Sequence, residues 1–143
     1  MTAVGPSRSS RLRRPGGQGG AKLGRRGELA ARIYLILKGY RVRHRNWHGP
    51  DGELDLVVER RGELVFVEVK SRRSEAFGGA VAAVDGAKQR RLARLAAAYL
   101  SRFGLWDRPC RFDVVAVEGG RGLVGWRIRH LTDAFRPDLG RRL

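Results

Sequence analysis

Two charged residues interrupt a run that is otherwise typical of a buried β-strand. Successive side chains of a strand point to opposite faces, so the valines at positions 65, 67 and 69 share one face. The other face begins with Leu64 and Phe66 and continues with Glu68 and Lys70. A strand that is apolar on both faces is typical of the interior of a sheet. Because unpartnered buried charges are costly, Glu68 and Lys70 form either a structural ion pair or part of a functional site.

Asp55 favours the functional interpretation. If the preceding strand forms a hairpin in which Arg60 pairs with Glu63, Asp55 lies opposite Glu68, with Cβ atoms about 4.5–5.5 Å apart. Two carboxylates that close repel unless a cation lies between them or one retains its proton. Oxygen ligands suit Mg²⁺ or Mn²⁺, whose bound water can act as a nucleophile. A three-residue turn would move Asp55 to the other face, and the Arg61-Gly62 dipeptide does not decide between the two registers.

Three other acids have simpler interpretations. Asp51 follows a proline in a Gly/Pro-rich loop, and Asp55 on its strand is preferred to it as the metal-binding aspartate. Glu53 is interpreted as a surface residue at the start of a strand. Asp113, inside an alternating apolar run, is expected to form a structural ion pair.

Hydrophobic periodicity predicts an α/β domain with a mixed sheet of about five strands flanked by helices, in the order α-β-β-β-α-β-β. The predicted helices span 27–38 and 85–103, and the predicted strands span 40–47, 54–59, 64–70, 111–117 and 126–131. The first helix carries apolar residues at positions 29, 30, 33 and 37, and the second at positions 92, 95, 96, 99 and 100. The first strand is predicted to lie at an edge of the sheet with one basic face. The predicted domain covers 23–135, between a disordered basic tail at 1–22 and a basic C-terminal tail at 136–143.

The charge of the chain indicates a polyanionic partner. Thirty Lys and Arg against fourteen Asp and Glu give the 143 residues a formal net charge of +16. A field of this size attracts nucleic acid. The single cysteine excludes an intramolecular disulfide and a cysteine cluster for zinc. The sequence contains neither an apolar run of membrane-spanning length nor the apolar segment of a signal peptide, so we expect a cytoplasmic protein that does not enter membranes.

The chain resembles the YraN family of bacterial proteins, which are predicted endonucleases similar to archaeal Holliday-junction resolvases. The resemblance covers nearly everything from residue 24 to about residue 131. It is carried by Gly24-Arg-Arg-Gly-Glu28 with Ala31, Gly39-Tyr40, Arg45-Asn46, Gly52-Glu-Leu-Asp55, Val65-Phe-Val-Glu-Val-Lys-Ser-Arg72, Phe77-Gly78, Lys88, Ala98-Tyr99-Leu100 and Arg111-Phe-Asp-Val-Val115.

The resemblance implies the restriction-endonuclease-like fold and its nuclease signature of an aspartate followed by an acid-x-Lys motif. It implies that Asp55 and Glu68 hold the metal ion together with the backbone carbonyl of Val69. Lys70 would orient or deprotonate the attacking water. Glu28 matches an additional acid that resolvase-like proteins bring to the metal, and it is equally well explained as an acid at a helix N-terminus.

These inferences predict a Mg²⁺- or Mn²⁺-dependent endonuclease that hydrolyses phosphodiester bonds in DNA, including branched or structured DNA. The alternative is a non-catalytic module with the same fold that binds DNA, RNA or the ribosome. DNA is preferred to RNA as the partner, and the resemblance to dimeric resolvases also implies a homodimer. The predicted nucleic-acid contacts are Arg41, Arg43, Arg45, Arg72, Arg73, Lys88 and Arg91.

Overall fold

The computed structural model describes residues 18–72, 84–121 and 124–140. Within these ranges, two helices and five strands follow one another in the predicted order. They are α1 (Gln18–Leu37), β1 (Arg41–Gly49), β2 (Gly52–Arg60), β3 (Glu63–Arg72), α2 (Gly86–Phe103), β4 (Cys110–Arg121) and β5 (Val124–Phe135). Residues 1–17 of the predicted N-terminal tail (1–22), residues 73–83 and residues 141–143 of the predicted C-terminal tail (136–143) lie outside the described residues. Residues 18–22, which were predicted to belong to the disordered tail, are part of α1.

The five strands form one mixed sheet in the order β1-β2-β3-β4-β5. β3 is the central strand, antiparallel to β2 and parallel to β4, while β4 and β5 are antiparallel. The connection between the parallel strands contains α2, as a crossover between parallel strands requires. The mixed sheet, the central position of β3 and the edge position of β1 confirm the predictions.

A two-residue turn sets the register between β2 and β3. Both central residues have positive φ, 52° at Arg61 and 80° at Gly62, as a type I′ hairpin turn requires. Arg60 pairs with Glu63, and the ladder continues to the pair Leu56 and Val67. This is the register that places Asp55 beside Glu68.

Each helix covers one face of the sheet. α2 buries the predicted positions 92, 95, 96, 99 and 100 against the core residues Leu54, Val57, Leu64, Phe66 and Phe112. The side chain of Asp85 accepts a hydrogen bond from the Lys88 N–H at the N-terminus of α2, and Gly104 ends the helix in the left-handed conformation. These caps set the two ends of α2.

α1 packs differently from the prediction. Of the predicted stripe, Ala30 is buried on the opposite face of the sheet together with Ala31 and Leu35. The other three positions, Leu29, Ile33 and Leu37, are 37%, 39% and 81% exposed. Small residues on the contact side let the helix backbone approach the sheet closely and leave the larger side chains at the margin. The predicted start at residue 27 was also wrong, because α1 begins at Gln18. Gly19 and Gly20 have low helix propensity and give no hydrophobic periodicity, so the sequence did not predict a helix there. Once a helix has formed, each added residue gains one backbone hydrogen bond, so the helix can extend through such residues.

Neither of the two helices in the described ranges combines the length and apolarity needed to cross a membrane.

Candidate active site

Asp55 and Glu68 meet where the ladder between β2 and β3 ends. The last registered pair is Leu56 and Val67. Beyond it, the Oδ2 of Asp55 accepts a hydrogen bond from the backbone N–H of Val69 at 2.9 Å. Burial, followed by repulsion from Glu68, raises the pKa of Asp55 to about 7. At neutral pH the protonated fraction of Asp55 can donate a hydrogen bond to the Glu68 carboxylate. The two acids therefore share one pocket, as the register predicted.

Two lysines neutralise the Glu68 carboxylate. Its Oε1 lies 3.2 Å from the Nζ of Lys70 and 2.7 Å from the Nζ of Lys88. Burial and the neighbouring Lys88 ammonium lower the pKa of Lys70. Burial acts in the same direction on Lys88, but its hydrogen bonds to Glu68 and Lys70, together with the negative charges of Glu68 and Asp55, outweigh burial and raise the pKa of Lys88. Lys88 was predicted as a phosphate contact, and the structure places it directly against the acid pair.

Glu28 approaches the same pocket from α1. A Cβ added to Gly27 would lie 2.0 Å from the Oγ of Ser71, so the helix touches the end of β3 immediately before Glu28. Burial raises the pKa of Glu28, with smaller contributions from the negative charges of Glu53 and Glu68. A hydrogen bond from the Asn46 side chain acts in the opposite direction. Glu28 is therefore within electrostatic reach of Glu68.

Asn46 is a site residue to which the sequence analysis gave no role. It lies between two registered pairs, Arg45 with Leu56 and Trp47 with Leu54, and therefore opposite Asp55. Its φ of 50° is left-handed, which is uncommon outside glycine and is tolerated best by Asn and Asp. The only sequence signal was its place in the matched Arg45-Asn46 dipeptide.

The oxygen donors of the pocket fit a hard divalent cation. Among residues 18–72, 84–121 and 124–140, no three His, Cys, Asp or Glu side chains converge as a ready metal site. The acids in direct contact are Asp55 and Glu68, whereas Glu28 is hydrogen-bonded to the side chain of Asn46. Mg²⁺ commonly uses one or two carboxylates and keeps several waters, so the pair is a sufficient protein contribution. Burial, and to a smaller extent the charge of Glu68, raise the pKa of Asp55, so a cation bound beside Asp55 would stabilise its charged form.

The stability of the protein should depend on pH through Asp55. The pKa of Asp55 is about 7 in the folded protein and 3.8 ordinarily, so the folded state binds this proton more tightly than the unfolded state. The resulting contribution to stability is complete below about pH 4 and is lost as the pH rises through about 7. We expect Asp55→Asn without metal to be more stable than the original chain at pH 8, by on the order of 1–3 kcal/mol, and nearly equal at pH 4. Urea unfolding at both pH values checks this. An equal difference at the two pH values would contradict it.

Two of the three arginines on the predicted basic face of β1 form ion pairs within the protein. A bulge between Val42 and His44 interrupts the alternation of the strand. Arg41 and Arg43 both pair with Glu59, and the Nε of Arg43 also donates to the Tyr99 hydroxyl at 3.2 Å. A bulge turns consecutive side chains to one face, which accounts for the inward position of Arg43.

The remaining predicted nucleic-acid contacts have varied positions. Arg45 is exposed on β1, and Arg91 is exposed on α2, one turn after Lys88. Arg72 ends β3, but its side chain and the whole of Arg73 lie outside the described part of the chain.

The other acids have the positions that their interpretations required. Asp51 lies in the turn after β1 and pairs with Arg94 at 2.9 Å, away from the acid pair. Glu53 is exposed at the start of β2. Asp113 is fully buried and accepts hydrogen bonds from Arg111 and His130 at 2.9 and 2.6 Å, which confirms its structural ion pair.

Comparisons with known proteins place this pocket within one family. The family model described as "Uncharacterised protein family UPF0102" matches residues 27–117, which include every residue of the pocket. A UPF0102 protein of Symbiobacterium thermophilum is 52% identical over 99 residues, covering 69% of this chain and 84% of the relative. UPF0102 proteins of Phocaeicola vulgatus and Bacteroides thetaiotaomicron are 42% and 45% identical over 118 residues, each covering 82% of this chain and 95% of the relative. This chain therefore belongs to the UPF0102 family, the YraN family that its motifs resemble.

Proposed function

We propose that this protein is a metal-dependent nuclease that hydrolyses phosphodiester bonds, with DNA as its expected substrate. The observation that carries the proposal is the meeting of the Asp55 and Glu68 carboxylates with the Lys70 ammonium around one pocket. Two acids in contact favour a bound cation, and a desolvated lysine beside them, whose pKa is lowered by burial, gives up its proton more readily than an exposed lysine. The net charge of +16 supports a polyanionic substrate.

Asp55 and Glu68 would hold the divalent ion, with the backbone carbonyl of Val69 as a further oxygen. When bound, such an ion polarises a phosphate oxygen and lowers the pKa of a coordinated water. The hydrogen bond from the Val69 N–H to the Oδ2 of Asp55 fixes the orientation of that carboxylate and leaves Oδ1 for the ion. Residues that orient a ligand in this way sustain metal affinity.

Lys70 and Lys88 would have different roles, because their pKa values shift in opposite directions. The pKa of Lys70 is lowered, so its Nζ can lose its proton and then accept one from the attacking water. The pKa of Lys88 is raised, so its ammonium stays charged and can neutralise the oxygens of the phosphate. Arg91, on the same flank of α2, extends this positive surface to the neighbouring phosphates.

A cleavage panel tests the proposal. Branched, duplex and single-stranded DNA, with RNA of the same sequences, are incubated with Mg²⁺ or Mn²⁺ and the original chain, Asp55→Asn, Glu68→Gln or Asp51→Asn. We expect cleavage of at least one DNA substrate, at least about 100-fold slower with Asp55→Asn or Glu68→Gln and nearly unchanged with Asp51→Asn. Asp51 is a matched control because it is a nearby aspartate outside the pocket.

Two results would overturn the proposal. Metal-dependent cleavage that survives both pocket substitutions would place the activity elsewhere or in a contaminant. Tight binding of nucleic acid without cleavage of any substrate would favour the alternative, a binding module with the same fold.

A further inference from the structure

Asn46 lies at a point where both β1 and β2 depart from the regular alternation of side chains between the two faces of the sheet. On β1, His44 and Trp47 both pack toward α2 although an odd number of positions separates them. On β2, Leu54 packs toward α2 whereas Leu56 packs toward α1, although an even number separates them. The residues at the slip are Asn46 and Asp55, which lie opposite each other. The backbone is therefore distorted where the pocket is built.

At this distorted position, Asn46 contacts Glu28, the acid on α1. Its left-handed backbone departs from strand geometry, and its side-chain amide donates a hydrogen bond to the Glu28 carboxylate. The other charges around Glu28 are Arg32 on its own helix and the acids Glu53 and Glu68. Glu53 and Glu68 repel the Glu28 carboxylate, whereas the Asn46 amide and, to a smaller extent, the Arg32 charge stabilise it. Non-glycine residues with positive φ persist where their surroundings impose them, and they cluster at functional sites.

We propose that Asn46 is a positioning residue that holds the Glu28 carboxylate toward the cation bound by Asp55 and Glu68. This inference rests on the proposed metal site. Glu28 then adds negative charge and a hydrogen-bond acceptor to the hydration shell of the ion without being a direct ligand. Groups that orient a metal site from outside its direct ligands typically account for about 10–100-fold in metal affinity.

Calorimetric titration with Mn²⁺ alone, without nucleic acid, tests the proposal through a double-mutant cycle. The proteins are the original chain, Asn46→Gly, Glu28→Gln, the double variant and Arg61→Gly. Glycine accepts the φ of 50° at position 46, so Asn46→Gly removes the amide and keeps the backbone. Arg61 in the β2–β3 turn has a similar φ of 52°, so Arg61→Gly is the matched control for replacing a non-glycine residue of positive φ with glycine. Thermal unfolding of each variant separates a loss of folding from a loss of affinity.

We expect Asn46→Gly and Glu28→Gln each to weaken Mn²⁺ binding by about tenfold, and the double variant to bind no more weakly than Glu28→Gln. Arg61→Gly should bind like the original chain. Unchanged affinity in Asn46→Gly, or losses that multiply in the double variant, would overturn the role of Asn46 while leaving the proposed nuclease intact. If the original chain binds no Mn²⁺, the metal site itself fails and this inference fails with it. If Asn46→Gly does not fold, Asn46→Ser, which shortens the side chain, replaces it in the cycle with the same two criteria.

Discussion

Replacing Lys70 with methionine should reduce metal-dependent cleavage by about 10²–10⁴-fold, the usual contribution of a general acid or base. Methionine keeps the length of the buried stem and removes the Nζ that contacts Glu68 at 3.2 Å. Binding of Mn²⁺ should persist, because the variant loses a positive charge beside the acid pair and keeps both carboxylates. The effect should therefore fall on the rate of the chemical step and not on metal occupancy.

The pH dependence identifies the role of Lys70 more specifically than the rate does. Because burial and Lys88 lower the pKa of Lys70, the cleavage rate should rise with pH as its Nζ loses its proton. The residual activity of Lys70→Met should lack that rise. Lys38→Met is the matched control, since Lys38 is exposed at the end of α1 and lies over the Tyr34 ring. Cleavage at the original rate by Lys70→Met, or an unchanged pH profile, would remove Lys70 from the mechanism.

Asp113→Ala should cause the largest loss of stability of any acid substitution considered. Asp113 is fully buried and accepts hydrogen bonds from Arg111, His130 and the backbone N–H of Asp133. Removing the carboxylate leaves the mostly buried Arg111 with Glu63 as its remaining acid partner, and it leaves the Asp133 N–H without its acceptor. Breaking a buried pair in this way costs about 3–5 kcal/mol. The pKa of Asp113 is lowered although burial opposes it, so its stabilisation should also be lost from the original chain as the pH falls below about 4.

Urea unfolding at pH 7 measures this effect. Asp107→Ala is the control, because Asp107 is exposed in the segment between α2 and β4 and its removal should change stability by no more than about 0.5 kcal/mol. A loss below about 1 kcal/mol for Asp113→Ala would show that the network contributes little.

The acid pair could be predicted from the sequence because a hairpin converts spacing along the chain into proximity. Once Arg60 and Glu63 form the closing pair, each residue of β2 has a fixed partner on β3, and Asp55 reaches Glu68. The turn that fixes the register could not be predicted in the same way. A type I′ turn requires positive φ at both central positions, and Arg61 is not a residue that favours it.

The contributions of Lys88 and Asn46 lay beyond sequence reasoning for different reasons. The periodicity of α2 predicts which side faces the sheet, but the contact of Lys88 with Glu68 at 2.7 Å depends on how far the helix lies along β3. That position is set by packing and by the Asp85 cap. The left-handed backbone of Asn46 is a local exception to the strand pattern that surrounds it, so a rule based on alternation predicts the opposite.

The charge of the chain predicts a polyanionic partner, but it does not predict which arginines are available to contact one. The three arginines of β1 have the same alternating spacing, yet Glu59 binds two of them and only Arg45 stays clear of that ion-pair cluster. Glu59 is buried, so it must be neutralised, and Arg108 completes that neutralisation at 2.8 Å. Sequence patterns alone do not show which charges a buried acid will bind.

A crystal of the protein soaked in Mn²⁺, with anomalous scattering recorded for the metal, tests the central claim most directly. We expect a single strong peak in contact with carboxylate oxygens of both Asp55 and Glu68, and we expect this peak to be lost in crystals of Asp55→Asn. A pocket that stays without a peak while the crystal takes up Mn²⁺ elsewhere, or a peak that persists without the Asp55 carboxylate, would contradict it.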